Sequence, residues 1–149
     1  MKLLRIVDFL KLKLSIKRGL KLGKNCRLMK GINFGSEPFL ISISDEVTVS
    51  FDVTFITHDG ATWVFRDKDC SLTKFGYIKV EERAFIGAKS ILLPGVTVGK
   101  RSVVAAGSVV TRSIPPGEVW GGNPARFICS VDDYYEKTKL LEQNKNATT

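Results

Sequence analysis

The chain contains a single histidine, His58, in the tripeptide Thr57-His58-Asp59. A neutral imidazole is well matched to accepting a proton near neutral pH, so such a residue can act as a general base that activates a hydroxyl group for attack. A general base is usually held by a partner at its other ring nitrogen. Asp59 can reach that nitrogen only if the chain turns, because neighbouring side chains of an extended chain point to opposite faces. A backbone carbonyl is an equal alternative, Asp52 and Asp67 are more remote ones, and a histidine that only anchors a loop is the plainer interpretation.

The element that would position His58 has a six-residue repeat. Aliphatic residues occupy every sixth position, and a small or β-branched residue follows four positions after each. The aliphatic positions are Val80, Ile86, Leu92, Val98, Val104 and Val110. A period of six fits neither an amphipathic helix nor an alternating strand, and it predicts a β-helix of stacked short parallel strands. Three hexads close one coil, so residues 18 apart, such as Ile86 and Val104, should stack at about 4.7–4.9 Å, the spacing between neighbouring strands.

The glycines beside these aliphatic positions also carry information. We expect Gly87 and Gly99 to let the backbone turn without a Cβ clash. Cys26 occupies an inward position of the repeat and is most simply a small core residue.

The repeat continues upstream with two interruptions. Nine residues, rather than six, separate Phe34 from Ile43, which predicts a short insertion around Ser36–Phe39. Residues 59–76 interrupt the repeat again and predict a protruding loop, a kind of segment that is usually functional in a compact domain.

These patterns predict an all-β fold in one domain, residues 1–149. It comprises an amphipathic N-terminal segment over 1–20, a β-helix over 21–128 that carries the loop 59–76, and a C-terminal helix over 130–143. A capping box, Ser130-Val131-Asp132-Asp133, should open that helix. Its expected packing face consists of Tyr134, Tyr135, Leu140 and Leu141.

Composition limits the classes of partner. The formal net charge is +8, but the lysines are spread out and no nucleic-acid motif is present, which argues against a nucleic-acid partner. The three cysteines, Cys26, Cys70 and Cys129, are odd in number and lack metal-ligand spacing, so we expect no metal site and a reducing, cytoplasmic location. No hydrophobic run reaches the length of a membrane span, and no signal peptide is evident.

The N-terminal segment alternates basic and apolar residues from Lys2 to Arg18. Such a segment, helical at least at its start, can cap the first coil, or it can lie on an anionic membrane surface, here the inner face of the membrane. We favour the cap, the more common arrangement.

Beyond the hexads, the most specific motif is Gly121-Gly122-Asn123-Pro124-Ala125-Arg126, preceded by Pro115-Pro116-Gly117. With it, the chain from Val80 to Ile128 resembles the hexapeptide-repeat acyltransferases, in particular the maltose, galactoside and polysaccharide O-acetyltransferase group. The resemblance implies a left-handed parallel β-helix and a homotrimer. It also implies acetyl-CoA bound in the cleft between neighbouring β-helices, with an active site shared by two subunits.

The resemblance also implies roles for individual residues. It makes His58 the general base and offers Asn33 as a donor to the developing oxyanion, although a corner asparagine that tolerates a tight turn is at least as good a description of Asn33. It places acetyl-CoA contacts at Ala88 and Ala106, which are 18 apart and should form a column of small residues with accessible backbone amides.

At the nucleotide end of the cofactor, the resemblance places Thr111, Arg112 and Arg126, and arginine suits phosphate groups through its planar, multi-donor fork. Cys129 stands where relatives often have another basic residue, for which Lys100 or Arg101 could compensate. Trp120 packs against the cofactor or covers the last coil.

The acceptor site is expected in the protruding loop, with Asp59, Trp63 and Arg66 as the candidate residues. Trp63 and Phe65 could equally anchor the loop to a neighbouring subunit. The expected reaction is acetyl transfer from acetyl-CoA to a sugar hydroxyl in bacterial surface polysaccharide biosynthesis. The alternatives are N-acetylation of an amino sugar and a non-catalytic β-helix that acts in assembly. A carbonic anhydrase of this fold is excluded, because its zinc needs three histidines.

Overall fold

The computed structural model describes residues 2–146, with side chains described for residues 8–144. The chain winds into a parallel β-helix whose three sheets are built from short strands. Two helices flank it, α1 (Lys2–Lys17) and α2 (Val131–Asn146), and two short 3-10 helices interrupt it, Pro38–Leu40 and Gly60–Phe65. The strands are β1 (Lys21–Leu22), β2 (Arg27–Leu28), β3 (Ile41–Ile43), β4 (Thr48–Val49), β5 (Thr54–Phe55), β6 (Ile78–Val80), β7 (Phe85–Ile86), β8 (Ile91–Leu92), β9 (Thr97–Val98), β10 (Val103–Val104), β11 (Val109–Val110), β12 (Glu118–Gly122) and β13 (Ala125–Ser130).

The predicted stacking of residues 18 apart is confirmed. Ile86 pairs with Val104, and Leu92 pairs with Val110, each in parallel register. All four side chains are fully buried, and no single coil could bury them alone, because the core forms only between stacked coils. Cys26 packs against this core, as expected.

Both interruptions of the repeat leave the stacking intact. Leu22 pairs with Ile43, a step of 21 residues, and Phe55 pairs with Leu92, a step of 37. The extra residues are extruded at the corners as the segment around the 3-10 helix Pro38–Leu40 and as the long loop between β5 and β6. The core therefore keeps its ladder while two segments are free to carry other chemistry.

Glycine avoids a Cβ clash at these positions, as expected, but the clash would be with the next coil and not at a turn of the backbone. Gly87 does not have a positive φ angle, and a Cβ placed on it would lie 2.4 Å from the backbone nitrogen of Ala106 in the next coil. Glycine is needed there because two coils approach closely. The corners turn through other residues with positive φ angles, such as Lys89 and Gly107.

The β-helix ends earlier than the predicted boundary at residue 128. Val104 pairs with Trp120, a step of only 16 residues, and β12 then turns back on itself to pair antiparallel with β13. The proline motif at 123–124 forms the turn of this hairpin, and the repeat alone could not indicate it.

Helix α2 begins with the predicted cap: the backbone nitrogen of Asp133 donates to Ser130 Oγ over 3.0 Å, and Ser130 Oγ donates to the Asp133 carboxylate over 2.6 Å. The helix continues to Asn146, three residues beyond the prediction. Its expected packing face is wrong for the isolated chain, because Tyr134, Tyr135, Leu140 and Leu141 are all at least half exposed.

Helix α1 lies against the first coil on one side. Leu12 packs against the core, and Leu20, just after the helix, is buried. Leu10 and Leu14 are exposed, so capping describes only one side of this helix. Within residues 2–146, no helix combines the length and apolarity that a membrane span requires.

Candidate active site

His58 lies three residues beyond β5, where the chain leaves the β-helix for the long loop. Its side chain is 45% exposed and lines a cleft of about 390 Å³. The other lining residues are Ile56, Asp59, Gly60, Lys74, Leu93, Pro94 and Thr111. The structure thus brings together three of the predicted site residues, namely His58, Asp59 and Thr111.

The partner of His58 is Glu37. Glu37 Oε2 lies 2.9 Å from His58 Nδ1, and Thr57 Oγ1 donates to the same oxygen over 2.6 Å. The hydrogen bond from Thr57, followed by the interaction with His58, lowers the pKa of Glu37 below its ordinary value. The carboxylate is therefore ionised at neutral pH and can only accept hydrogen bonds, so Nδ1 of a neutral His58 carries the proton. This tautomer leaves Nε2 with a lone pair and, among residues 8–144, with no hydrogen-bond partner.

Sequence reasoning missed Glu37, although a signal for it was present. Glu37 belongs to the first insertion, and coils one and two are offset by 21 residues, as shown by the pairing of Asn33 with Thr54. The same offset places position 37 beside position 58. Applying the 18-residue step of the regular coils to this region hides the pair.

None of the aspartates considered as partners contacts His58. Asp59 instead accepts a hydrogen bond from the backbone nitrogen of Ala61 over 3.0 Å and thereby caps the 3-10 helix of the loop. Its other oxygen lies 3.5 Å from Lys74 Nζ. Asp52 and Asp67 make no hydrogen bond or ion pair with the imidazole.

The first insertion is fastened to the end of α1. The guanidinium of Arg18 donates to the backbone oxygen of Ser36, and its charge makes a further, smaller contribution to the lowered pKa of Glu37. Gly19 follows with a φ of +98°, and a Cβ at this position would lie 2.7 Å from Phe39 Cβ. Arg18 therefore holds the segment that carries Glu37, and Thr57 holds the Glu37 carboxylate itself.

Asn33 behaves as a corner residue. Its Oδ1 accepts a hydrogen bond from the backbone nitrogen of Gly35 over 2.9 Å, which closes a tight turn. No contact joins it to His58, so a role toward an oxyanion remains a prediction.

The predicted cofactor residues Ala88, Ala106, Thr111 and Arg112 lie at opposite ends of the strands of the sheet β5–β8–β11. Ala88 and Ala106 precede β8 and β11, and the backbone nitrogen of Gly107 donates to the oxygen of Ala88 over 2.7 Å. We call Ala88 and Ala106 the alanine column. Gly121, which pairs with Arg126, lies beside this column, because a Cβ on Gly121 would lie 3.0 Å from that of Ala105, the neighbour of Ala106.

The second column lies at the other ends of these strands and consists of His58, Pro94, Thr111 and Arg112. Thr111 directly follows β11 and shares the cleft with His58. The guanidinium of Arg112 lies 5.2 Å from the centre of the Trp120 ring. We call this the histidine column.

Three further residues were considered near the nucleotide end of acetyl-CoA, and the structure shows what each of them contacts. Trp120 is buried and stacks on Val104, so it covers the last coil, and its Nε1 donates to Glu118 over 2.6 Å. Lys100 Nζ lies 3.0 Å from a Glu82 oxygen and already has an anionic partner. Cys129 pairs with Val119 in the hairpin.

The long loop exposes its aromatic side chains. Trp63 is 65% exposed, and the Arg66 guanidinium lies 5.7 Å from the centre of its ring. Phe65 is half exposed. Phe75, on the return of the loop, pairs with His58 through the backbone, and its ring centre is 6.0 Å from the imidazole. Within residues 2–146, no three His, Cys, Asp or Glu side chains are grouped so that they could hold a metal ion.

The chain is similar in sequence to several known proteins. The family model described as the hexapeptide repeat of succinyl-transferase matches residues 77–112. Protein CapG of Staphylococcus aureus is 46% identical over 128 residues, which are 85% of this chain and 73% of CapG. A 2,3,4,5-tetrahydropyridine-2,6-dicarboxylate N-acetyltransferase of Clostridium perfringens is 48% identical over 64 residues, 42% of this chain and only 27% of that protein.

Among solved structures, the hexapeptide-repeat acetyltransferase of Vibrio cholerae in complex with acetyl coenzyme A matches with a TM-score of 0.57 and 26% identity, over 80% of this chain and 75% of that one. Such neighbours imply the left-handed winding of the coil. With the repeat, the stacked coils and the extensive match to CapG all in agreement, the chain belongs to the hexapeptide-repeat acyltransferases.

Proposed function

We propose that this protein transfers an acetyl group from acetyl-CoA to a sugar hydroxyl of a bacterial surface polysaccharide or its precursor. The observation that carries the proposal is the hydrogen bonding of His58. Its Nδ1 is bound by Glu37, its Nε2 is left to accept a proton, and the imidazole lines an open cleft. That arrangement prepares an imidazole to accept a proton from a substrate.

In the proposed reaction, His58 Nε2 accepts the hydroxyl proton as the oxygen attacks the acetyl carbonyl. Acetyl-CoA supplies an activated acyl group on a thiol that can leave. The Glu37 carboxylate stabilises the imidazolium that forms, because it already accepts a hydrogen bond from Nδ1 at 2.9 Å. His58 then returns the proton to the departing sulfur, so the products are the acetyl ester and free CoA. No covalent enzyme intermediate is needed.

The developing oxyanion needs donors that are fixed in advance. We assign this role to backbone N–H groups of the cleft and to the Asn33 amide. Only Oδ1 of Asn33 is used by the turn at Gly35, so its NH₂ group remains able to donate.

The residues present fit the donor. The alanine column offers a groove without bulky side chains, with Ala106 exposed and Ala88 half-buried, along which an amide-containing arm could pair with the backbone. Arg126, which pairs with Gly121 beside this column, and Arg112 in the histidine column supply cations for phosphate groups.

The two columns support an active site shared between protomers. A three-stranded sheet separates them, so in one chain the alanine groove and His58 face different sides. Both border one cleft when the histidine column of one protomer meets the alanine column of the next, as in the homotrimer expected for this family.

Mixing two inactive variants tests this sharing. We expect His58→Ala to lack the base and Ala106→Trp to block the groove. Mixed oligomers, formed by co-expression, should regain activity at interfaces that combine an intact His58 with an intact Ala106. If mixed oligomers, verified by mass spectrometry, recover no activity, each site lies within one chain.

Side chains of the long loop are suited to binding a sugar acceptor. An exposed tryptophan offers the flat apolar surface on which a sugar ring can stack, and Arg66 beside Trp63 could bind an acidic group of the same glycan. Asp59 lines the cleft directly. We therefore assign Asp59, Trp63 and Arg66 to the acceptor side.

The reaction is tested by incubating the protein with acetyl-CoA and a panel of sugars and following release of the CoA thiol. The product should carry an acetyl group that mild alkali removes, since esters are labile and amides are not. An alkali-stable product would establish the second candidate, N-acetylation of an amino sugar, which the Clostridium N-acetyltransferase favours. The three unpaired cysteines support a reducing compartment, and we propose the cytoplasm.

A further inference from the structure

Helix α1 presents an apolar ridge to solvent on the side that does not contact the first coil. Leu10 and Leu14 are 58% and 56% exposed, and a spacing of four residues places them on the same face of the helix. Phe9 is also exposed and lines an apolar groove of about 650 Å³ between the helix and the first coils. The main wall of that groove consists of Leu28, Met29, Ile32 and Phe51.

The charges around the ridge are almost all positive. Helix α1 contains five basic residues and one acidic residue, Asp8. Within residues 8–144, neither Lys11, Lys13 nor Lys17 forms an ion pair, and Lys13 Nζ lies 4.6 Å above the Phe9 ring. Asp8 faces the first coil, where it accepts a long hydrogen bond from the backbone nitrogen of Gly31 at 3.4 Å. The solvent side of the helix is therefore apolar and cationic.

Helix α2 shows that exposed leucines alone do not define this surface. It also has 16 residues, and Leu140 and Leu141 are 58% and 62% exposed. Its charges, however, are four acidic and three basic residues. Charge is what distinguishes the two helices.

We infer that the solvent side of α1 binds the surface of an anionic lipid bilayer. In such a complex, the leucine ridge enters the boundary between headgroups and acyl chains while the lysines contact the phosphate groups. A second copy of the helix is a poor occupant, because symmetric pairing would bring unpaired lysines together. This inference goes beyond the proposed reaction and does not depend on it, since binding is measured without catalysis.

Helix α1 is joined to the segment that carries Glu37. Arg18 follows α1 and donates to Ser36, next to Glu37, so a protein held on a membrane through α1 would keep its cleft near that surface.

The test is co-sedimentation of the full chain with vesicles of phosphatidylcholine containing phosphatidylglycerol, against vesicles of phosphatidylcholine alone. We expect binding only to the anionic vesicles, and its loss at high salt. Substituting Lys11, Lys13 and Lys17 together with Gln should weaken binding on the order of 100-fold, at about fivefold for each cation. The double variant Leu10→Gln/Leu14→Gln should weaken it at least about tenfold.

The matched control is Leu140→Gln/Leu141→Gln on α2, which should bind as the natural chain does. Equal effects of the two leucine pairs, or no binding to anionic vesicles, would overturn the inference. So would a nucleic-acid duplex that binds equally well regardless of Leu10 and Leu14, because the surface would then be a general polyanion site. A change of oligomeric state in the Leu10/Leu14 variant, measured by ultracentrifugation, would instead assign the ridge to a second copy of the chain.

Discussion

The upper coils of the β-helix are regular, and the lower coils are interrupted. From Val80 to Val110, residues 18 apart stack without exception. Below Val80 the steps are 21 and 37 residues. The candidate catalytic groups, Glu37 and His58, come from the two interruptions, whereas the alanine column comes from the regular part.

This difference separates two physical demands. A groove for an extended cofactor needs an even surface of small residues, which a strict repeat provides. A general base and its carboxylate need side chains that point away from the core at a fixed mutual distance. The insertions meet that need, because the stacked strands below and above hold their ends, while the side chains of Glu37 and His58 lie outside the hydrophobic core.

The largest effect should come from the interrupted region. His58→Ala should lower turnover on the order of 10³-fold, because the hydroxyl loses its proton acceptor. The thermal shift caused by acetyl-CoA should stay nearly unchanged, since the donor groove is intact. A variant that keeps near-normal turnover would contradict the division of labour, because the proton acceptor would then be a group other than His58.

Glu37→Gln should lower kcat on the order of 10- to 100-fold with little change in KM for either substrate, because a neutral amide stabilises the imidazolium less well. Glu37 acts through His58, so combining Glu37→Gln with His58→Ala should cost no more than His58→Ala alone. Thr57→Val should show a weaker version of the same kcat effect, because it removes the 2.6 Å hydrogen bond that holds the carboxylate. If KM changes instead, Glu37 contacts substrate directly.

The regular coils were predictable from sequence, and the catalytic pair was predictable only in part. Hydrophobic spacing specifies which residues stack, because a shift of register would expose the buried ladder of Ile86 and Val104. It contains no information about a side chain in an insertion, so Glu37 was missed while His58 was found through its uniqueness. The final hairpin was also missed, because it is antiparallel and obeys a different pairing rule from the repeat.

The next largest effect should be a loss of stability caused by a substitution in the regular coils. Gly87→Ala should lower the free energy of unfolding by about 1–3 kcal/mol, the usual cost of forcing atoms into a packed site. The new Cβ would lie 2.4 Å from the backbone nitrogen of Ala106, which cannot move without disturbing the next coil. Gly60→Ala in the loop is the matched control, since nothing lies within 4 Å of its Cβ position. Denaturant unfolding of both variants measures the contrast, and equal losses would mean that the loop is as constrained as the coils.

Substituting Arg126 should weaken the binding of acetyl-CoA and leave the binding of the acceptor unchanged. Arg126→Ala should raise KM for acetyl-CoA about tenfold, as expected for loss of one charge-assisted contact. Acetylpantetheine lacks the nucleotide, so with this donor the variant and the natural chain should behave alike. Arg83→Ala is the matched control, because Arg83 is an exposed cation that pairs with Glu46, outside both columns. A loss that is equal for both donors would remove Arg126 from the nucleotide site.

The smallest effect should be a pH dependence of stability that arises from Glu37. Its pKa is lowered in the folded protein, chiefly by the hydrogen bond from Thr57 and then by His58. A carboxyl group with a lowered pKa stabilises the fold above its unfolded pKa, and that contribution is lost as the pH falls through the folded pKa. The difference in unfolding free energy between the natural chain and Glu37→Gln should therefore shrink between about pH 5 and pH 2, because a protonated glutamate closely resembles glutamine. The difference should be modest because the group is near solvent. A difference that stays constant over this range would show that the charge of Glu37, unlike its shape, contributes nothing to holding the first insertion against His58.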